Sequence, residues 1–259
     1  MTYFESIIIA IVEGLTEFLP ISSTGHMILA SKVLGIENSE FLKTFEISIQ
    51  LGAIMAIVII YAKRFLKSWE IYKKLTISFI PTAIIGYFSY HMIKEYLFSP
   101  VVVSISLILG GIILILVDRK LTYQISNYEE AEKISYKRAF FIGLIQSISI
   151  IPGVSRAGAS IVGGVFNGLN KKQAIEFSFL LAVPTMFAAT GYDLYKTPLV
   201  FSHHEISLLL VGLCTAFVFA WIAVKAFLVL INKLGFAYFG WYRIFIGILF
   251  LILIYMKII

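Results

Sequence analysis

Two glutamates four residues apart are the first side chains whose type and spacing suggest chemistry. Glu13 and Glu17 lie within a long apolar stretch. Residues four apart share one face of a helix, so the two carboxylates would be neighbours. A charge at the centre of a bilayer costs at least ~2.5 kcal/mol, so the pair needs a partner or a function. Ion pairing with Lys225, Arg243 or Arg156 is the structural alternative. Proton transfer, orientation of a histidine and coordination of a divalent ion are the functional roles open to the pair.

A group of hydroxyl residues and a histidine follows the glutamates, after the break Pro20-Ile21-Ser22-Ser23-Thr24-Gly25. If Ser22 to Thr24 cap a new helix, Ser23 and His26 share its first turn and one face. A nucleophile and its base would then lie within hydrogen-bond reach. The alternative is a packing histidine that binds a backbone carbonyl. We therefore predict Ser23, His26 and Glu17 as catalytic residues, with Ser22, Thr24 and Glu13 binding substrate.

A second break, Pro152-Gly153-Val154-Ser155-Arg156-Ala157-Gly158, contains an arginine within an otherwise uncharged stretch. The planar guanidinium of Arg156 suits phosphate or carboxylate and does not lose its charge. Ser155, Ser160 and Gly153 are predicted to bind substrate beside it, because glycine lets backbone approach a ligand closely. If the helices after both breaks begin in one cavity, their amino-terminal amides favour an anion there. Arg156 is accordingly predicted to be catalytic.

Four further polar positions are considered separately. Glu46 and Gln50 stand one helical turn apart and could line the same cavity, with a helix–helix hydrogen bond equally open; Gln50 is predicted to bind substrate. Lys225 and Arg243 are expected to extend towards, or pair at, the cytoplasmic half of their helices.

The elements that must position these residues are membrane helices. The 259 residues are 59% hydrophobic and 14% charged, whereas soluble domains are about 25% charged. Two apolar stretches, 3–34 and 139–170, are too long for one span, and each is interrupted by a break. We interpret both as helical hairpins, since non-helical backbone at membrane depth needs cover from protein or water. Six shorter stretches are predicted to cross the bilayer: 45–61, 75–90, 101–117, 177–194, 206–230 and 236–256.

The two halves repeat. Pro20 and Pro152, Ser23 and Ser155, and Phe45 and Phe177 are each separated by 132 residues. Three spans follow each hairpin, so re-entrant hairpins would make the second half inverted relative to the first. The predicted fold is one all-α membrane domain, 1–259, with six transmembrane helices and two re-entrant hairpins. Its parts are repeat one at 1–117, a cytoplasmic loop at 118–138 and repeat two at 139–259.

The basic residues predict the orientation. One side of this topology carries five of them: Lys32, Lys43, Lys94, Lys196 and Lys257. The other side carries thirteen: Lys63, Arg64, Lys67, Lys73, Lys74, Arg119, Lys120, Lys133, Lys137, Arg138, Lys171, Lys172 and Lys233. The richer side is expected to be cytoplasmic, with both termini outside. The net charge of +6 is thus attributed to loops facing anionic lipid, and no nucleic acid is expected as a partner.

The strings EGLTEFLPISSTGH (13–26) and PGVSRAGAS (152–160) closely resemble the signature regions of the undecaprenyl-diphosphate phosphatase family, of the bacitracin-resistance type. KTFEISIQLGA (43–53) and EFSFLLAVP (176–184) extend the likeness. The resemblance implies a plasma-membrane enzyme that converts the polyprenyl diphosphate carrier to its monophosphate for cell-wall synthesis, with a site open to the outer face. The resemblance also implies an active site formed by the residues at the matching positions: Glu13, Glu17, Ser22, Ser23, His26, Ser155 and Arg156. The family commonly has a hydroxyl residue where this chain has Ala157.

The mechanism expected from these residues has Ser23 attacking the terminal phosphorus, with His26 accepting its proton and later activating water. Glu17 would orient His26 or shuttle the proton, and Arg156 would stabilise the phosphoryl transition state. Direct attack by water and a histidine nucleophile remain open. Ca²⁺ or Mg²⁺ held by Glu13 and Glu17 is open as a cofactor, and no organic cofactor is expected. The expected partners are the lipid substrate, the bilayer and a second copy in a homodimer. A transporter or flippase of a lipid phosphate is the alternative function.

Overall fold

The protein is all helical over the residues that the structure, a computed structural model, describes: 1–37, 39–92, 99–121, 134–196 and 201–258. The first half contains α1 Tyr3–Thr16, α2 Ser23–Val33, α3 Glu40–Ile60, α4 Ala62–Lys67, α5 Trp69–Met92 and α6 Pro100–Leu121. The second half contains α7 Tyr136–Gln146, a short 3₁₀ turn Ser147–Ile150, α8 Arg156–Phe166, α9 Lys171–Lys196, α10 His203–Leu234 and α11 Ala237–Tyr255. α6 and α7 therefore extend into the predicted loop 118–138, whose centre lies outside the described residues.

Local sequence explains where several helices begin. Thr2 and Glu5 form a capping box at the start of α1, and Ser202 and Glu205 form another at the start of α10. Ser39, Ser135 and Ser155 each accept a backbone hydrogen bond at the start of α3, α7 and α8. These side chains satisfy amide groups that have no partner within the first helical turn. One or two capping residues therefore define the start of each of these helices.

Five of the described helices are long and apolar enough to cross a membrane, which makes the chain a multi-pass membrane protein: α3, α6 to Arg119, α9, α10 to Ile231 and α11. α5 has 24 residues but is not among these five. Its first six residues include Glu70, Lys73 and Lys74, and Pro81 lies inside it. α1 has 14 residues, and α2, α7 and α8 have 11 each. At 1.5 Å per residue these four are about 16–21 Å long, short of the roughly 30 Å hydrocarbon core.

Both predicted helix breaks are present, but each begins earlier than expected. The first covers 17–22 and the second covers 147–155, including the 3₁₀ turn. Thr24 and Gly25 therefore lie inside α2, and Arg156 to Gly158 lie inside α8. Proline alone misplaced the boundaries, because a chain leaves helical geometry before a proline rather than at it. A serine stands at the N-cap position of each restart, Ser22 and Ser155, although only Ser155 caps its helix through the side chain.

The helices of the two halves pack in related pairs. α1 lies beside α10 and runs parallel to it, since Tyr3 hydrogen-bonds Ser207 and Gly14 contacts the backbone of Ala216. α7 lies beside α5 in the same way, with Gly143 against the backbone of Ser78. α6 packs against α11, and α3 against α9. The largest apolar core fills the space among α3, α7, α8, α9 and α10, with Ile57, Ile142, Ile161, Phe179 and Phe227 among its members.

The polar contacts at the two ends of the bundle identify which helix termini meet. At one end Arg64 pairs with Glu176 at 2.8 Å, and Asp118 accepts a hydrogen bond from the backbone amide of Phe236. That end contains the starts of α5, α7, α9 and α11. The opposite end contains the starts of α1 and α10. α1 and α7 therefore enter the bundle from opposite ends.

Candidate active site

Glu17 and Arg156 join the two hairpins. Arg156 Nη2 lies 3.0 Å from Glu17 Oε1, and both side chains are about nine-tenths buried. Glu17 directly follows the last residue of α1, whereas Arg156 is the first residue of α8. A buried ion pair is stable only when its geometry is good and further hydrogen bonds satisfy both groups. The structure thus contains the ion pair that the sequence offered as the alternative to a purely chemical role, at the place where the two breaks meet.

Ser23 uses Glu17, not His26, as its hydrogen-bond acceptor. The Ser23 hydroxyl donates to Glu17 Oε2 at 2.5 Å. The His26 ring instead contacts the Ser22 carbonyl through Nδ1 at 2.8 Å and the Tyr242 hydroxyl through Nε2 at 2.7 Å. Ser22 has a left-handed backbone with φ of 72°, which turns the chain so that Ser23 faces back towards the end of α1. The expected Ser23–His26 pair is therefore replaced by a Ser23–Glu17 pair.

Glu13 is completely buried one turn before Glu17. Neither of its carboxylate oxygens accepts a hydrogen bond, and its neighbours include the Ser23 hydroxyl and the charged groups of Glu17, Glu46 and Arg156. Glu17, by contrast, has one oxygen bound to Arg156 and the other to Ser23. Of these two glutamates, Glu13 is therefore the one whose oxygens are free for a hard cation. Within the described part of the chain, no three His, Cys, Asp or Glu side chains are grouped closely enough to hold a metal by themselves.

Arg156 is held by more than its ion pair. Its Nη1 donates to the Ser178 carbonyl at 3.2 Å, and its guanidinium lies 5.7 Å from the centre of the Phe18 ring. Nε is buried without a hydrogen-bond partner. Ser160, one turn along α8, exchanges a hydrogen bond of 2.6 Å with the Ser178 hydroxyl. Ser160 therefore contacts α9 beside Arg156, and the unused Nε donor remains available to an anion.

Ser155 and Gly153 form the second break immediately before Arg156. Ser155 caps α8 by accepting a hydrogen bond from the Gly158 amide, and its hydroxyl also reaches the Leu19 carbonyl of the first break at 3.4 Å. Gly153 has φ of 88°, a conformation that favours glycine. A methyl group there would also collide with the backbone of Val103. Both residues thus shape the second break and bring it against the first.

Arg243 corrects one expectation. Instead of extending towards the cytoplasmic half of α11, it is 2% exposed and donates four hydrogen bonds to carbonyl groups. Two lie on α6, Leu107 at 3.2 Å and Ser106 at 3.1 Å. The others lie in the two breaks, Pro20 at 3.1 Å and Gly153 at 3.0 Å. Helix breaks leave carbonyls without intrahelical partners, and the five donors of a guanidinium satisfy several of them at once.

Arg243 carries the same sequence signal as Arg156. An arginine inside an apolar helix needs a specific partner, the same argument that identified Arg156. Tyr242 had no comparable signal, because its aromatic side chain resembles the many that face lipid. Lys225 is exposed on α10, and its ammonium lies 4.8 Å from the centre of the Trp221 ring.

Three other predicted site residues lie around this cluster. Ser22 is buried, and its carbonyl binds His26, while its side chain does not cap α2. Thr24 is half-buried on the first turn of α2. Gln50 is half-buried on α3, one turn beyond Glu46, which accepts a hydrogen bond from Ser31 at 3.0 Å. The described hydrogen bonds do not join Thr24 or Gln50 to the Glu17 cluster.

Comparison of the sequence with known proteins places the chain in a family. Residues 6–249 match the family model described as bacitracin resistance protein BacA. The chain is 51% identical to an undecaprenyl-diphosphatase of Bdellovibrio bacteriovorus, over 98% of this chain and 97% of that protein. It is 51% identical to one of Persephonella marina, over 98% and 100%, and 49% identical to one of Aquifex aeolicus, over 96% and 98%. The family model covers all the site residues described above, and the relatives align over nearly their full length. The chain therefore belongs to the bacitracin resistance protein BacA family.

Proposed function

We propose that this protein is a membrane phosphatase that removes the terminal phosphate of undecaprenyl diphosphate. The observation that carries the proposal is the continuous Ser23–Glu17–Arg156 contact at the junction of the two hairpins. It combines a hydroxyl nucleophile, a proton acceptor and a fixed cation, the three groups that phosphoryl transfer to a serine requires. The names of the relatives supply the substrate, and their near-complete alignment with this chain supports its transfer.

In the first step, Ser23 Oγ attacks the terminal phosphorus while the bond from that phosphorus to the bridging oxygen breaks. The Ser23 proton passes to Glu17 Oε2, and the lipid monophosphate leaves with the bridging oxygen. Arg156 shifts its hydrogen bonds towards the phosphoryl oxygens, because charge develops there in the transition state. The product of this step is a phosphoserine and the lipid carrier monophosphate.

In the second step, His26 Nε2 takes a proton from water, whose oxygen bonds to the phosphorus. The bond between Ser23 Oγ and phosphorus breaks, and Ser23 recovers its proton from Glu17. Inorganic phosphate leaves, and the proton on His26 returns to solvent. We propose that Glu13, Ser22, Thr24, Gln50, Gly153, Ser155 and Ser160 bind the diphosphate or shape its site.

We also propose Ca²⁺ or Mg²⁺ as a cofactor, with Glu13 as its protein ligand. Glu13 suits this role because both its oxygens are free of hydrogen bonds and buried beside the reacting groups. A hard divalent cation would there neutralise part of the diphosphate charge. Glu17 is a poorer ligand, because Ser23 and Arg156 already occupy its oxygens.

For the topology we propose six crossings and two re-entrant hairpins in an inverted repeat. The short lengths of α1, α2, α7 and α8 support re-entry. The parallel pairs α1 with α10 and α5 with α7, which begin at opposite ends of the bundle, support the inversion. Exchanging the two halves would convert one pair into the other. α5 is the sixth crossing, with its charged first turn at the membrane surface.

For the orientation we propose that the protein lies in the plasma membrane with both termini outside and the active site open to the outer face. The support is the concentration of lysine and arginine in the loops at the end where α5, α7 and α9 begin. Cysteine labelling of intact cells at positions 2 and 137 tests this orientation: an impermeant reagent should label position 2 only.

The oligomeric state is a separate prediction. We propose a homodimer, and light scattering of the protein in detergent tests it.

The function is tested by incubating the purified protein with polyprenyl diphosphates of several chain lengths and measuring phosphate with and without chelator. We expect phosphate release from the wild type and none from Ser23→Ala or His26→Ala. Undiminished release from both variants would contradict the mechanism. Absence of release from the wild type would favour transport of a lipid phosphate. Loss of release with chelator, restored by Ca²⁺ or Mg²⁺, would support the metal, and chelator-insensitive release would refute it.

A further inference from the structure

His26 is held at both ring nitrogens by groups from different parts of the chain. Nδ1 contacts the carbonyl of Ser22, four residues earlier, and Nε2 contacts the hydroxyl of Tyr242 on α11. The two rings are nearly parallel, with an interplanar angle of 8° and centroids 5.5 Å apart. The imidazole is therefore fixed in position and in rotation by one residue of the first half and one of the second.

These contacts also determine which nitrogen carries the hydrogen. A carbonyl oxygen only accepts hydrogen bonds, so Nδ1 must donate to Ser22. In the neutral ring Nε2 then holds the lone pair and accepts the hydrogen of the Tyr242 hydroxyl. The basic nitrogen of His26 consequently faces the Tyr242 hydroxyl on α11, while the Ser23 hydroxyl donates to Glu17.

Tyr242 is well placed to hold this arrangement. It precedes Arg243, whose four carbonyl contacts fix this part of α11 against both breaks and α6. Tyr242 itself is 40% exposed, whereas Ser23 and Glu17 are 6% and 8% exposed. The Tyr242–His26 contact is therefore the more exposed part of the cluster, and the Ser23–Glu17 contact is the more buried part.

We propose that Tyr242 is a positioning residue that keeps His26 in the Nδ1-protonated tautomer, with Nε2 directed at the attacking water. The proposal rests on the phosphatase function proposed above. In the resting protein the Tyr242 hydroxyl satisfies Nε2. During the second step water takes the place of the hydroxyl, and the parallel ring of Tyr242 still limits rotation of the imidazole. Tyr242 touches no reacting atom and acts through His26.

The kinetic test compares Tyr242→Phe with Tyr238→Phe. Tyr238 lies one turn earlier on α11 and is 64% exposed, so it is a matched loss of one hydroxyl. For Tyr242→Phe we expect kcat to fall about tenfold, the equivalent of one hydrogen bond, with KM unchanged. Tyr238→Phe should leave both constants unchanged. A Tyr242→Phe protein with wild-type kcat would overturn the proposal.

The second test measures the tautomer directly, by ¹⁵N NMR of histidine-labelled protein in detergent, with His26→Gln identifying the His26 signals. In the wild type we expect a protonated Nδ1 and an unprotonated, hydrogen-bonded Nε2. In Tyr242→Phe the Nε2 shift should move and a second tautomer should appear; an unchanged spectrum would overturn the proposal. If the spectrum changes as expected but the wild type releases no phosphate, the positioning contact stands and the phosphatase function is what fails.

Discussion

The first hairpin, α1 with α2, and the second, α7 with α8, use a common backbone plan for different chemistry. Gly14 and Gly143 stand at equivalent positions, 129 residues apart, and each lets its helix approach a helix of the other half of the chain. The same offset relates Glu17 to Gln146. Glu17 binds Ser23 and Arg156, whereas the Gln146 amide binds Thr82 and Thr185, both at 3.2 Å.

The two hairpins therefore contribute different groups to the proposed site. The first hairpin supplies the carboxylates, the hydroxyl and the imidazole, and the second supplies the guanidinium. At the equivalent positions the second hairpin carries an uncharged amide that joins α5, α7 and α9. The proposed site therefore exists only where the two hairpins meet. Substitutions that make one hairpin resemble the other should lower either the rate of phosphate release or the stability of the protein.

The largest effect is expected from Glu17→Gln, which gives the first hairpin the amide of the second. The variant loses the proton acceptor of Ser23 and leaves Arg156 as a buried charge without its carboxylate. We expect kcat for phosphate release to fall by about 10³-fold. Glu40→Gln, on the exposed start of α3, is the control and should behave as the wild type. Near-normal turnover in Glu17→Gln would show that Ser23 is activated in another way.

Arg156→Lys is expected to follow, because it retains the charge of the second hairpin but removes the planar fork. Lysine is a point charge without the planar fork that directs Arg156 to Glu17, Ser178 and a phosphoryl oxygen in one geometry, so kcat should fall by about 10²-fold. The matched control is Arg138→Lys, an exposed position on α7 of the same hairpin. If the two variants had equal rates, only the charge at position 156 would matter.

Arg243→Lys tests the group that ties the hairpins together. An ammonium has three donors, so it cannot satisfy the four carbonyls that Arg243 binds. We expect a lower melting temperature in detergent and a fall in kcat of about tenfold, since unbound carbonyls let the breaks move apart. A stable, fully active variant would show that the breaks keep their geometry without this residue.

Gly143→Ala and Gly14→Ala compare the close approaches of the two hairpins. The added methyl group overlaps the backbone of Ser78 more severely than that of Ala216. Each change should destabilise the protein by about 1–3 kcal/mol, with the larger loss at Gly143. Gly191→Ala is the control, because a methyl group there meets no other atom within 4 Å. Thermal unfolding in detergent ranks the three; the reverse order would contradict the packing described.

The smallest effect is expected from Gln146→Leu. Thr82 and Thr185 also donate to backbone carbonyls, so they keep a partner when the amide is removed. The loss should be about 1 kcal/mol, or roughly 2–4 °C in melting temperature, with phosphate release unchanged. A large loss of activity would mean that the second hairpin takes part in the chemistry beyond Arg156.

Particular residues show how far the sequence could predict this site. Glu17 and Arg156 were identifiable because a charge in an apolar stretch is costly wherever the chain goes. Their mutual contact, between positions 139 residues apart, was only one of several open pairings. The Ser23–His26 pairing failed because helical spacing fixes a shared face but not the backbone turn at Ser22 that aims the hydroxyl. Tyr242 was beyond prediction, since only the packing of α11 distinguishes it from lipid-facing aromatics.

The four carbonyls bound by Arg243 have a mechanical consequence. Alternating access in inverted-repeat transporters depends on one repeat rocking against the other. Here such rocking would pull Pro20 and Gly153 away from a single buried guanidinium, losing hydrogen bonds to a charge worth about 1.5–3 kcal/mol each. Separating Glu17 from Arg156 would add to that resistance. A protein joined in this way is suited to holding a cleft still while a bond breaks, and poorly suited to carrying cargo across by rocking.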